Sequence, residues 1–353
     1  MMLLSPLANQ RAVILGDTAE AHHHGCELVM ENLVTGLAEQ GIATAFRHSG
    51  KHWRSVPQLC QALTQADLLV INGEGSIHHD RPLGYELIEA AEYAHQQGVP
   101  AYLINCTWQA NSRLLAERAA VFRRIYVRES LSAVELAEAG IATTITPDLT
   151  LATRCPPPSA ERRGWLVTDS TIPAITTQLY RLARQLGDAQ YAPLISSQWN
   201  RGSWVRTAKR WAQRELGRRL GPLGWCPASY ASLAHADQNA RAFLTRLSRC
   251  QAILTGRFHA TCFAILTGTP VLAVKSNSSK IEGLLNDAGL SPDRLIPSSA
   301  SPAEVQQRLT TAAWTPTEER HRCRYIEQAR AAIGEMFSTI SADGESAANH
   351  HAA

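Results

Sequence analysis

Short apolar runs alternate with stretches of helical periodicity along most of the chain. Ala12–Leu15 reads as a buried strand, followed by a Gly16-Asp17 turn and a polar loop rich in histidine. Glu27–Gln40 repeats Leu28, Val29, Leu33 and Leu37 at helical spacing and stops at Gly41. Thr44–Arg47, a helix around Val56–Gln65 and the strand Asp67–Asn72 follow, the last running into Gly73-Glu74-Gly75-Ser76. A helix near Gly84–Gln97 precedes a strand over Pro100–Asn105. Then come a helix over Arg113–Phe122, a strand over Arg124–Val127 and a helix over Ser130–Glu138 closed by Gly140. Ile141–Pro147 ends this half, just before Asp148.

Arg154–Arg163 interrupts every periodicity, and its three consecutive prolines can continue neither a helix nor a central strand. The alternation then restarts with strand Gly164–Thr168, helix Ala174–Leu186 and strand Tyr191–Ile195. Helix Asn239–Leu247, strand Ala252–Thr255, helix His259–Leu266, strand Val271–Val274 and helix Ile281–Ala288 follow, the last ending at Gly289. A long helix is expected over Pro316–Met336, and Ser341–Ala353 reads as frayed. Strands alternating with helices imply parallel pairing with helices on both faces of a sheet. The expectation is an α/β protein of two doubly wound, Rossmann-like domains facing a cleft. Their bounds are 1–153 and 164–336 (the latter including the C-terminal helix), with a linker at 154–163 and a loose tail at 337–353.

Composition narrows the class. The chain has 353 residues, 45% hydrophobic and 18% charged, which gives it room for two folded domains and excludes disorder. A net charge of +3 is far from a surface built to coat nucleic acid. No window approaches the roughly 18–20 apolar residues of a membrane span, and the N-terminus lacks the features of a secretory signal. The eight cysteines are scattered singly with no CxxC pair, so neither a zinc ribbon nor a dithiol redox site is supported. A soluble cytoplasmic protein is expected.

In open parallel sheets ligands bind beyond the C-terminal ends of the strands, and the unusual residues of this chain fall in those loops. Asn72-Gly-Glu-Gly-Ser-Ile-His-His-Asp80 places Gly73 and Gly75 where a backbone can approach a ligand closely. Glu74, Ser76, His78 and His79 crowd the same loop. A tight strand-to-helix turn would use the glycines for geometry alone. Thr255-Gly-Arg-Phe-His-Ala-Thr261 also opens a helix after a strand. Arg257 offers a fork for phosphate or carboxylate, and His259 places an imidazole two residues away. Arg128-Glu129-Ser130 is a third such junction, although Ser130 also suits an ordinary helix cap. Asp17 follows the first strand, Asp148 follows Pro147, and Lys275 ends a strand where it can act as a point charge. His22-His23-His24 invites a metal reading, but adjacent histidines seldom converge and no carboxylate spacing completes a site, so no metal is assigned.

Arg201–Leu220 holds seven Arg/Lys and one Glu. On a helical wheel Trp204, Val205, Ala208, Trp211, Ala212 and Leu216 share one arc, and Arg206, Arg210, Arg214 and Arg218 the other. A helix lying on an anionic bilayer surface has this pattern. A helix packing its tryptophans on the second domain, with solvated arginines, has it too.

Gly16-Asp17, Asn72-Gly-Glu-Gly-Ser76, Val127-Arg128-Glu-Ser130, Pro147-Asp148, Gly256-Arg-Phe-His-Ala260 and Gly268-Thr-Pro270 occur in this order. In these elements, over roughly residues 11–290, the sequence resembles the polysaccharide pyruvyl transferase family. It departs in carrying Glu74 where family members often have a run of glycines, and in a loop richer in histidine. The resemblance implies a GT-B-like fold with an acceptor-side first domain and a donor-side second one. It implies transfer of a pyruvyl group from phosphoenolpyruvate to sugar hydroxyls of a surface polysaccharide or its lipid-linked precursor, as a ketal. The cationic donor contacts would be Arg257, Arg128 and Lys275, joined by Ser130. His259 would move a proton or contact the phosphate, and Glu74 would act as base on the acceptor. Asp17, Gly73, Gly75, Ser76, His78 and His79 would form the acceptor loops. The expected partners are phosphoenolpyruvate and a glycan, with an anionic membrane surface at Arg201–Leu220, and the chemistry requires neither a metal nor another cofactor. A nucleotide-sugar glycosyltransferase of envelope synthesis is the alternative in the same fold, and a sugar-binding subunit without catalysis is a third reading.

Overall fold

The computed structural model describes residues 10–155, 161–196, 204–220 and 235–351. They form two compact units, the first from residues 1–18, 29–152 and 328–353, the second from 19–28 and 153–327.

The first unit is a parallel sheet of β1 (Gln10–Leu15), β2 (Ile42–His48), β3 (Leu68–Glu74), β4 (Ala101–Cys106), β5 (Arg124–Val127) and β6 (Thr144–Ile145), in the order β2-β1-β3-β4-β5-β6. Register follows the apolar pattern. Val13, Leu15, Leu69, Ile71 and Leu103 point into one apolar layer, whereas Ala12, Ile14, Leu68, Val70 and Ile104 point into the other. Alternate side chains leave opposite faces of a strand, so a run buried on both faces must be apolar throughout. Helices α1 (His24–Glu39), α2 (Pro57–Gln65), α3 (Pro82–Gln96), α4 (Arg113–Ala119) and α5 (Ser130–Glu138) supply the connections. Proline at the first turn of α2 and α3 fixes the entry angle where the missing N–H costs nothing.

The second unit is a parallel sheet of β7 (Trp165–Ser170), β8 (Ala189–Tyr191), β9 (Ala252–Gly256), β10 (Val271–Val274) and β11 (Leu295–Ile296), in the order β11-β10-β9-β7-β8. It carries α6 (Pro173–Gln185), α7 (Trp204–Leu220), α8 (Ala240–Leu247), α9 (Phe258–Thr267), α10 (Lys280–Asp287) and α11 (Pro302–Thr310). Every residue of α9 is buried, making it the central helix of the unit. The two sheets repeat one topology, because in each the first strand lies between the second and the third.

Four local features differ from the sequence reading. Helix α1 begins at His24 instead of Glu27, because the His23 imidazole caps it: Nδ1 accepts from the Gly25 N–H at 3.1 Å and the Cys26 N–H at 3.4 Å. The strand expected over Tyr191–Ile195 ends at Tyr191, since the Leu194 N–H leaves the ladder for Asp169 Oδ1 at 2.8 Å. β11 and α11 occupy a stretch the apolar pattern left unassigned. The last helix, α12 (Pro316–His351), continues through most of the expected loose tail, and 328–353 belongs to the first unit. Ile333, Met336, Phe337 and Ile340 enter that unit's apolar layer, and Asp343 accepts from Arg124 Nε at 2.6 Å. The expected linker 154–163 lies partly outside the described residues, as do 201–203.

Candidate functional site

Each sheet has a point where the chain reverses its direction of travel across the strands, between β1 and β3 in the first unit and between β7 and β9 in the second. In open parallel sheets the loops diverge at such a point and ligands bind in the crevice between them.

At the first, Gly16 has φ +72°, and a Cβ on it would sit 2.2 Å from the Asn72 carbonyl oxygen. Only glycine lets β1 end this close to β3. Glu74 closes β3 at φ 35°, in a region that non-glycine residues avoid. Its carboxylate is 7% exposed, and Oε1 accepts from the Thr18 hydroxyl at 2.7 Å and the Asn72 amide at 3.0 Å. The same Asn72 amide donates to the Gly16 carbonyl, and Asn105 Nδ2 donates to Asn72 Oδ1 at 3.2 Å. His79, Asp80 and Ala110 in the neighbouring loops, and Asn105 near the end of β4, also hold positive φ values. Strain of this kind costs of order 1–3 kcal/mol per residue and gathers at functional sites.

Other expected loop residues lie close by. Gly73 is buried within β3, while Gly75 and Ser76 form a turn in which the Ser76 N–H donates to the Gly73 carbonyl. His78 is buried and His79 exposed, their Nδ1 atoms 2.8 Å apart, a spacing that requires one shared proton. Arg81 approaches His78 Nε2 at 3.4 Å. Asp17 takes both Nε (2.9 Å) and Nη2 (3.1 Å) of Arg47. Arg128, expected as a donor-binding cation, is 2% exposed, with Nη1 3.0 Å from Asp148 Oδ2 and Nε 2.7 Å from Thr107 Oγ1. Its charge is balanced inside the protein. Ser130 opens α5 without capping it; the N-cap is Glu129, whose carboxylate accepts from the Ser132 N–H at 3.0 Å.

The second crevice has a different character. Arg257 ends the β9 turn and leads into α9. Its guanidinium forks onto Asp169 at the end of β7, with Nε 2.9 Å from Oδ2 and Nη2 on the same oxygen. The Arg257 N–H donates to Thr255 Oγ1 at 2.9 Å, and that hydroxyl meets Thr168 Oγ1 at 2.7 Å. These bonds lock the backbone that aims the arginine. His259 is 8% exposed and packs on Gly25, where a Cβ would lie 2.2 Å from the ring. Its ring centroid is 5.4 Å from that of His23. Burial holds His23 well below the ordinary histidine range, reinforced by Arg257, then His259, His24 and Lys280. Lys280 opens α10, is 6% exposed, and donates from Nζ to Asn277 Oδ1 at 3.0 Å. Lys275, the lysine picked from sequence, is exposed at the end of β10.

Sequence reading thus missed three contributors: Asp169, His23 as cap and ring neighbour, and Lys280. Ser278-Ser279-Lys280, a polar step after an apolar strand, was the available signal for the last. Among the described residues no group of three or more His, Cys, Asp or Glu is arranged to hold a metal ion. Burial pushes the Cys106 thiol up to about 12 and the Cys250 thiol to about 11, which removes both as thiolate nucleophiles.

The family profile of polysaccharide pyruvyl transferase matches residues 23–278, a span that includes His23, Asp169, Arg257 and His259 of the second crevice and ends just before α10, which carries Lys280. The chain belongs to the polysaccharide pyruvyl transferase family. Membership makes it a transferase. No curated protein matches it. Among solved structures, UDP-N-acetylglucosamine 2-epimerase is similar at 10% identity and a TM-score of 0.50, over 90% of each chain. That likeness is one of fold, two Rossmann-like α/β units of GT-B-like type. An uncharacterised protein from Klebsiella pneumoniae aligns at 14% identity and a TM-score of 0.46, over 83% of this chain and 94% of that one. T4 phage BGT in complex with UDP and Mn2+ aligns at 10% and 0.42, over 95% and 99%. No helix among the described residues is long and apolar enough to cross a membrane.

Proposed function

We propose that this pyruvyl transferase takes the enolpyruvyl unit of phosphoenolpyruvate and joins it, as a cyclic ketal, to two hydroxyls of a sugar. That sugar belongs to a surface polysaccharide or its lipid-linked precursor, and the reaction takes place in the cytoplasm. The observation that carries the reading is the meeting of Arg257, Lys280, His259 and His23 at the second crevice. Phosphoenolpyruvate brings a phosphate and a carboxylate, and a crevice that sets Arg257 and Lys280 beside the single paired carboxylate of Asp169 suits both. Lys275 is exposed and Arg128 is sealed against Asp148, whereas Arg257, though paired with Asp169, keeps a fifth of its side chain accessible, so Arg257 supplies the fork and Lys280 the charge that Asp169 does not balance.

The chemistry follows from the substrate. A proton is added to the methylene carbon as one sugar hydroxyl attacks the adjacent carbon and gives up its proton. Phosphate then leaves with the bridging oxygen, and the second hydroxyl closes the ketal, releasing another proton. His259 delivers the proton to carbon, and Glu74, held by Thr18 and Asn72, receives one from a hydroxyl. The uncharged amides around Glu74 suit a sugar, whose hydroxyls need hydrogen bonds more than charge.

Thermal unfolding with added ligand tests the reading. Phosphoenolpyruvate is expected to raise the midpoint, with about 2.7 kcal/mol of stabilisation at one hundred times its Kd. Stabilisation by a nucleotide sugar such as UDP-glucose, with phosphoenolpyruvate inert, would overturn it in favour of glycosyl transfer. Inertness of both would point to a sugar-binding subunit.

A further inference from the structure

Helix α7 answers a question the sequence left open. If its tryptophan arc packed on the second unit, Trp211 and Leu216 would be covered. Instead Trp211 is 59% exposed and Leu216 42%, with Ala212 exposed beside them. Monomeric proteins scatter exposed apolar residues singly, and an exposed tryptophan with an exposed leucine five residues along the same helix calls for a partner. Arg218 and Arg219 are exposed too, both contacting Glu215, and Lys209 is exposed. The helix carries six basic residues and one glutamate, a net +5 in a chain whose total is +3. The rest of the protein is therefore slightly negative, and the positive field is concentrated on this element.

We propose that α7 is a docking helix for an anionic lipid bilayer, with Trp211 and Leu216 entering the headgroup boundary and the arginines and lysine meeting lipid phosphates. Charge selects this occupant. A second copy of the chain docking by the same face would bring two +5 helices together, which repels. A bilayer rich in anionic lipid offers the opposite charge and an apolar layer for the aromatic at once. The proposal is independent of the donor and acceptor chemistry, since none of its residues belongs to either crevice.

The test is flotation of the full chain with vesicles of equal parts phosphatidylglycerol and phosphatidylcholine, against vesicles of phosphatidylcholine alone. Two variants are compared, Trp211→Ser/Leu216→Ser and Arg214→Gln/Arg218→Gln/Arg219→Gln, each with a thermal melt to verify folding. Wild type is expected to float only with the anionic vesicles and to release as salt rises. The triple variant should lose about 100-fold in partitioning, near fivefold per charge, and the double variant should lose at least as clearly. Absent or equal binding to both vesicles, or binding untouched by both variants, overturns the proposal. So does wild-type dimerisation on size exclusion that the Trp211→Ser/Leu216→Ser variant abolishes, since the face would then be a contact between copies.

Discussion

The two crevices share a strand order and differ in almost everything placed on it. At the first, the buried Glu74 carboxylate accepts from a hydroxyl and an amide, with Thr18, Asn72 and Asn105 in the same network, and the charges nearby are paired with one another, Asp17 with Arg47 and Arg128 with Asp148. At the second, a guanidinium paired with an aspartate is joined by a buried ammonium and two imidazoles. Parallel-sheet topology determines where a ligand can enter, whereas the side chains at the strand ends determine what enters. On the proposed reading, one crevice takes neutral, hydroxyl-rich matter and the other an anion. Substitutions that convert the character of one crevice should therefore leave the behaviour of the other unchanged.

The largest expected effect is at the anionic crevice. His259→Asn should lower turnover by about 10²–10⁴-fold, the usual contribution of a proton-transferring side chain. The smaller side chain still fits against Gly25, so the melting temperature without ligand should stay close to wild type. Turnover and a thermal melt on the same preparation check this, and unchanged turnover would make His259 a packing residue.

At the neutral crevice the corresponding change is Glu74→Gln. The amide oxygen can still accept from Thr18 and Asn72, but the side chain can no longer take up a proton. A fall in turnover of about 10²-fold is expected, at the low end for a lost base. Stabilisation by phosphoenolpyruvate should be unaltered, because the donor crevice is untouched. A titration of thermal shift against phosphoenolpyruvate measures this, and loss of the shift would dissolve the contrast between the crevices.

How much of this contrast was legible in the sequence depends on the range of the interactions involved. The alternation of apolar runs with helical periodicity is a local signal, and it yielded the two parallel sheets. Arg257, His259 and Glu74 were visible because they lie in strand-to-helix loops of unusual composition. Asp169 was not, since its value comes from meeting a residue 88 positions away, and Thr-Asp-Ser in a strand looks like any polar strand end. His23 was read as one of three adjacent histidines in a loop; its role as a helix cap depends on backbone N–H groups, which have no sequence signature of their own. The last helix outran its expected end because Phe337 and Ile340 are rewarded by burial against a sheet far away in sequence. Arg128 shows the reverse error. A cation at a strand end reads as a ligand contact until Asp148, twenty residues on, neutralises it.

A smaller effect should appear in stability as pH falls. Burial, then Arg257 and the neighbouring groups, hold the folded-state pKa of His23 below the unfolded value near 6.5. Below that value the unfolded chain takes up a proton that the folded protein refuses. The stabilisation is therefore complete above pH 6.5 and declines as pH drops, by up to about 1.4 kcal/mol per pH unit for this one proton. Protonation at Nδ1 would also end its capping of α1. In His23→Asn the amide oxygen can cap without titrating, so the decline in melting temperature between about pH 7 and about pH 5 should be shallower than in wild type. An equal decline in both proteins would remove His23 from the acid response.

The smallest effect separates the two lysines of the second crevice. Lys275 is exposed, and an ammonium in water contributes little to anion binding, because solvent screens it and its chain must be ordered to reach the ligand. Lys280 is 6% exposed and tethered to Asn277 at 3.0 Å, so its charge acts through a medium of lower polarity with little left to order. Lys275→Ala should therefore change the phosphoenolpyruvate concentration needed for half-maximal thermal shift by no more than about threefold, under 1 kcal/mol. Lys280→Met, which keeps the aliphatic bulk, should raise that concentration at least tenfold. The two titrations, run side by side, decide the matter. A large loss on removing Lys275 with none on removing Lys280 would mean that the anion sits at the solvent edge of the sheet and not beside His23 and His259.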